Sequence, residues 1–108
     1  MALSKNEVIR IASGFLETIR DKHNVRQAYL FGSFAKGTAK PYSDVDLAIV
    51  LGSSDLSEDS PFDESFRIFH EAQEYNSLLE VVCFRQDEFD QDGGAIVKKI
   101  KQEGIRLI

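Results

Sequence analysis

Two aspartates one residue apart, Asp44 and Asp46, open an otherwise apolar run, Leu47-Ala48-Ile49-Val50-Leu51. Side chains on a strand alternate faces, so both carboxylates point the same way, about 6–7 Å apart. Charges so close repel unless something positive lies between them. Hard oxygen donors on a rigid strand suit Mg²⁺, which takes one or two carboxylates and then substrate phosphates. Alone, an Asp-x-Asp pair reads more readily as a strand cap beside a solvated acid. The loop ahead of it shifts that reading. Gly32 directly follows an apolar segment, where a residue without Cβ lets a ligand approach the backbone. Ser33 adds a hydroxyl, and the N–H groups of Ser33 and Phe34 could form an anion-binding nest. A helical turn over residues 33–36 would favour phosphate at its start. Lys36 and Lys40 bring positive charge. A phosphate cradle facing paired carboxylates is what metal-dependent phosphoryl or nucleotidyl transfer requires.

Two look-alikes fail. Gly32 and Gly37 have P-loop spacing, but Thr38 and Ala39 stand where Lys and Ser or Thr belong. A calcium loop opening at Asp44 would need oxygen ligands and a glycine where Ala48 and Ile49 occur.

The elements that must position these groups follow from periodicity and punctuation. Ser4 and Glu7 make a capping box, and Val8, Ile11, Ala12, Phe15 and Ile19 recur at helical spacing. A helix is expected from Lys5 to Lys22. Residues 25–31 read as a strand, residues 32–43 as loop, and residues 44–51 as a strand covered on both faces. An acidic, serine-rich loop follows, with Asp55, Glu58 and Asp59 solubilising it. Ser60 caps a helix that has Pro61 at its first position and runs to about Tyr75. Its expected inner face is Phe62, Phe66, Phe69 and Ala72 or Gln73, with the phenylalanines as core rather than a stacking platform. Residues 78–84 read as a third strand. Gly93-Gly94 breaks the chain, residues 95–103 form a last helix with Gly104 as its C-cap, and residues 105–108 add a short strand. The expected fold is α+β, a short mixed β-sheet with helices packed on one face, in a single domain spanning residues 1–108.

Composition narrows the function. The chain has 108 residues and a net charge of −5, with 13 basic and 18 acidic residues. Neutralising phosphates along a nucleic acid needs a Lys/Arg surplus, so bulk nucleic-acid binding is not expected. No run of apolar residues reaches membrane-spanning length. The first residues turn polar at once, without the apolar stretch of a signal peptide. Cys83, the single cysteine, lies in an apolar run and reads as a buried structural thiol. A cytoplasmic protein is expected. His23 and His70, with no second ligand at metal spacing, read as solvated helix residues.

Gly-Ser, ten residues, then Asp-x-Asp and an apolar run resembles the motif of the nucleotidyltransferase superfamily that includes DNA polymerase beta. The fuller string from Phe31 to Val50 looks like its smallest branch, the minimal nucleotidyltransferases. Glu103-Gly104-Ile105-Arg106-Leu107 is similar to the acidic-Gly-apolar ending of that branch. The resemblance implies an NTP held by Gly32 and Ser33, with Lys36 at its phosphates. It implies two Mg²⁺ ions held by Asp44, Asp46 and a third carboxylate on the next long strand, here Glu80. The implied reaction moves AMP from ATP to an acceptor hydroxyl and releases pyrophosphate. Phe34 and Lys36 stand where the branch has arginines, and Glu80 replaces an aspartate, so a weak enzyme or an inactive binding module is the alternative. No further segment that would grip an acceptor is expected after the core. The resemblance therefore implies a small helical HEPN-type partner, neutralised as a toxin by its antitoxin, with a homodimer as the alternative.

Overall fold

The first helix begins as its capping box dictates. In a computed structural model describing residues 3–40, 43–52, 61–91 and 94–108, with side chains undescribed over 61–63, the Ser4 hydroxyl accepts the Glu7 N–H at 3.2 Å. The Glu7 carboxylate in turn accepts the Ser4 N–H at 3.3 Å. Helix α1 (Lys5–Ile19) buries Val8, Ala12, Phe15, Leu16 and Ile19 along one stripe. It stops short of the expected Lys22. A turn follows, and Asn24 at φ 48°, a conformation asparagine tolerates better than most, leads the chain into the sheet.

The remaining order is β1 (Val25–Phe31), α2 (Ser33–Lys36), β2 (Val45–Leu51), α3 (Pro61–Tyr75), β3 (Leu79–Arg85), α4 (Gln86–Asp90), α5 (Ala95–Glu103) and β4 (Ile105–Arg106). The sheet runs β3-β2-β1-β4. β2 is antiparallel to β1 and parallel to β3, and β4 is antiparallel to β1, so the sheet is mixed as expected. A parallel neighbour requires a crossover, and α3 supplies it.

Alternation along β2 divides the core. Val45, Leu47, Ile49 and Leu51 pack with α1 and α3. Ala48 and Val50 pack against Phe89, Val97 and Ile100 from α4 and α5. The two long helices share one face, and the two short ones cover part of the other. Helix α4 was not legible in the sequence, because Phe89 is its single apolar anchor. That ring stacks on Tyr29 with centroids 5.4 Å apart, meets Phe84 at 5.8 Å and carries Lys101 Nζ 4.9 Å above it.

Helix α3 is rotated from its expected phase. Ile68 and Ala72 are fully buried, whereas Phe66 is 64% exposed and Phe69 37% exposed. A carboxylate is buried along with Ile68 and Ala72. Glu64 is buried, 3.3 Å from His23 Nδ1, while His23 Nε2 lies 3.2 Å from Glu71. His23 is therefore a buried link between α1 and α3, not a solvated residue. Burial tends to raise the Glu71 pKa, but hydrogen bonding and charge from Lys22, then His23, hold its carboxyl below the ordinary value. Gln73 is half-buried and donates to the Leu79 carbonyl at 2.6 Å. At the other end of the chain Gly104 closes α5, but in an extended conformation, φ −72°, and not a left-handed cap. Its missing Cβ matters because one would strike the Ile100 carbonyl oxygen.

The rotation has a direct test. Ile68→Ala should cost about 2–4 kcal/mol through a core cavity, and Phe66→Ala should stay within about 0.5 kcal/mol. Urea unfolding followed by circular dichroism ranks the two. The reverse ranking would mean that the phenylalanines face inward after all.

Candidate functional site

Three elements converge at one end of the sheet. β1 ends at Phe31, and Gly32 at φ 76° turns the chain into α2. Gly37 at φ 78° then ends that helical turn in the left-handed region. Both values favour glycine. Phe34, at 6% exposure, is a core plug that fixes the turn from beneath. The chain returns along β2, where Asp46 pairs opposite Phe31 on one side and in register with Glu80 on the other.

In-register residues on neighbouring strands point to the same side at a strand spacing of about 4.8 Å. Asp46 and Glu80 therefore project from the face that α4 and α5 cover farther along. Asp44 stands just ahead of β2, exposed and near enough to act on Asp46. Burial raises the Asp46 pKa first, and the charges of Glu80 and then Asp44 raise it further. The Gly32 backbone lies so close that a Cβ there would run into the Asp46 carboxylate. Glu80 itself is exposed on the edge strand, not sunk among its apolar neighbours. What ties it to the aspartates is register and charge, not burial.

Lys36 Nζ lies 3.3 Å from Glu103 on α5, and Lys40 is exposed. The cation bordering Asp46 is Lys99. It lines a cavity of about 430 Å³ with Phe31, Gly32, Asp46, Ala95 and Ile96. A second cavity of about 230 Å³ is bordered by Asp44, Glu80, Phe69 and Gln73. The acidic group thus sits between two clefts. Lys99, Phe69 and Gln73 carry no local motif, and only the placement of α5 and α3 brings them to the site.

Among the described residues, no three His, Cys, Asp or Glu side chains come close enough to enclose a metal ion. The donors are nonetheless hard carboxylate oxygens whose mutual charge raises the Asp46 pKa. That set fits Mg²⁺, which needs one or two carboxylates and completes its shell with water and phosphate. Cys83 lies outside this group. Burial pushes its thiol up to about 12, against a hydrogen bond with Ser65 and with the Glu64 charge adding to the rise, so it is no nucleophile at neutral pH. His70 is exposed, with its ring 4.5 Å from that of Phe66. Residues 53–60, including Asp55, Glu58, Asp59 and Ser60, lie outside the described residues, as do the Phe62 side chain and Gly93. No helix among the described residues is long and apolar enough to cross a membrane.

The description of a nucleotidyltransferase domain family matches residues 12–107. No curated protein matches the chain. Among solved structures, it is similar to a Sulfolobus solfataricus protein assigned by inference as a nucleotidyltransferase. That likeness has a TM-score of 0.63 at 15% identity and covers 94% of this chain and 80% of the other. A toxin–antitoxin structure with AMP-PNP gives a TM-score of 0.60 at 15% identity, covering 89% and 72%. A double Asp-to-Glu mutant of the toxin–antitoxin pair MntA–HpeT gives 0.56 at 16% identity, covering 98% and 73%. At these identities the likeness establishes the fold.

The raised Asp46 pKa has a consequence for stability. Folding penalises the charged form, so stability is lowest above the folded pKa and recovers as pH falls toward the ordinary aspartate value. Asp46→Asn should therefore stabilise the ligand-free protein at pH 7 by up to about 1 kcal/mol, a modest figure because water still reaches the carboxylate. The gain should shrink as pH drops to about 4. Urea melts at the two pH values measure it. A variant less stable than wild type at pH 7 would contradict the electrostatic account.

Proposed function

Because the chain belongs to the nucleotidyltransferase domain family, we propose that it transfers AMP from ATP to an acceptor hydroxyl on a protein partner. The observation that carries this reading is Asp46 held in register with Glu80 while the Gly32 backbone lies against its carboxylate. One residue thus borders both the acidic group and the place where a phosphate could approach the chain. Asp44, Asp46 and Glu80 would hold Mg²⁺, two ions by family resemblance, which when bound supplies Lewis acidity at the α-phosphate and acidifies the acceptor hydroxyl.

The protein's own groups then bind and orient. Gly32 leaves room for phosphate oxygens at the backbone. The Ser33 hydroxyl and the first-turn N–H groups of α2 donate hydrogen bonds to them. The acceptor hydroxyl releases its proton to solvent as its oxygen bonds to the α-phosphorus, the α–β anhydride bond breaks, and pyrophosphate leaves. The cleft bordered by Asp44, Glu80, Phe69 and Gln73 receives the acceptor. Holding both reactants at fixed positions supplies the advantage that makes such transfers fast.

The acceptor is proposed to belong to a small helical HEPN-type toxin, for which this chain acts as antitoxin. Support comes from the family resemblance and from fold neighbours that are toxin–antitoxin pairs, one of them with AMP-PNP. The exposed rings of Phe66 and Phe69 on α3, beside the second cleft, add an apolar surface for contact. A second reading, a binding module that neutralises its partner by contact, draws on the engagement of Lys36 with Glu103.

Co-expression with the product of the adjacent gene, followed by intact-mass analysis, separates the two. The transferase reading expects a gain of AMP units on the partner. Asp44→Asn and Asp46→Asn should cut that transfer on the order of a hundredfold or more. A partner that is bound and neutralised without any gain in mass would leave the binding module. An adjacent product neither bound nor modified would remove the antitoxin role.

A further inference from the structure

The loop lysine nearest the phosphate cradle in sequence is already engaged. Lys36 pairs with Glu103, which ties α2 to the end of α5. Both side chains are over a third exposed, so the pair contributes little to stability. It marks where the end of α5 meets the loop that follows Gly32. Val97 and Ile100, at 1% and 0% exposure, fix the same helix onto Ala48 and Val50.

Fixing α5 on that side leaves another of its faces toward the acidic group. Ala95, Ile96 and Lys99 are spaced at three and four residues, so they form one helical face, and all three line the cleft that Gly32 and Asp46 border. The volume of about 430 Å³ falls in the range of small-molecule sites, roughly 300–1,000 Å³. Phe31 and Ile96, the latter 44% exposed, give the cleft apolar wall on which a ribose or base can rest. Lys99 is exposed and makes no ion pair among the described residues. It is the cation of this cleft.

We propose that Lys99 grips the phosphates of the bound nucleotide, so that α5 forms the wall of the nucleotide cleft opposite Gly32. This inference rests on the transferase reading above. It assigns to α5 the charge that the sequence pattern places at Lys36. A triphosphate brought to three carboxylates needs positive charge beyond any metal, and a point charge on a rigid helix supplies it where the chain is otherwise acidic.

The test is calorimetric titration of the full chain with the non-hydrolysable analogue AMP-PNP in the presence of Mg²⁺. Lys99→Gln should weaken binding by about tenfold or more, the scale of one charge-assisted contact. Lys99→Arg should restore affinity to within about threefold, because it keeps the charge. Lys98→Gln makes the same charge change on the same helix outside the cleft and should stay within about twofold. Equal affinities for wild type and Lys99→Gln would overturn the assignment and leave the transferase reading standing. Equal losses in Lys99→Gln and Lys98→Gln, or no rescue by arginine, would also overturn it. A wild-type chain that does not bind Mg²⁺ with AMP-PNP would defeat the transferase reading, and this inference with it.

Discussion

Parallel pairing of β2 with β3 is the constraint from which the site follows. Register sets Asp46 beside Glu80 at one strand spacing, on one side of the sheet. A slip of one residue would turn Glu80 toward α1 and α3 and bring Leu79 or Val81 beside Asp46. Register is held by what lies farther along the same two strands. Leu47 and Ile49 point into one core, while Ala48 and Val50 point into the other. A one-residue slip would place a polar residue in a packed layer on one face or the other. The carboxylates are therefore kept together by apolar residues that never touch them.

Keeping them together has an electrostatic cost, and the rest of the structure offsets it. β2 is buried along nearly its whole length, with only Asp46 half-open. Burial of that strand on both faces gives a hydrophobic contribution far larger than the repulsion of partly solvated carboxylates. The crossover helix is seated with equal definition. Ile68 and Ala72 press on the sheet while His23 receives Glu64 and Glu71, so α3 is fixed in rotation as well as in position. That rotation carries Phe69 and Gln73 to the cleft beside Glu80. A buried histidine remote from the carboxylates thus determines which α3 residues border them.

Local pattern made much of this legible. The capping box at Ser4, the glycine-rich break after Phe31 and the apolar stretch of β2 each specify their element by short-range chemistry. Asp44 and Asp46 were readable as a close pair from their spacing, although Asp44 stands just ahead of β2 and reaches Asp46 through its charge. What sequence could not show was pairing between elements. Phe66 and Phe69 have the right spacing for an inner face, but a helix has several such stripes, and the His23–Glu64 contact chose another. Glu80 was readable as an acid on a strand, and only the sheet order shows that strand to be an exposed edge. Lys99 looked like any surface lysine until α5 was placed beside Gly32.

The departures at residues 34 and 36 fit the same logic. A phosphate loop can be made rigid by ion pairs to its ligand or by packing beneath it. Here Phe34 is buried in the core under the loop, and Lys36 is tied to α5, so the turn is shaped before any ligand arrives. Preformed loops lose less conformational entropy on binding, which compensates in part for fewer charged contacts. The acids at the site work in the opposite sense. Their mutual repulsion is present in the ligand-free protein, and a cation that settles among them relieves it. A species that binds only the folded chain stabilises it in proportion to the logarithm of its occupancy. A loop set by packing therefore faces carboxylates whose mutual repulsion a cation would relieve.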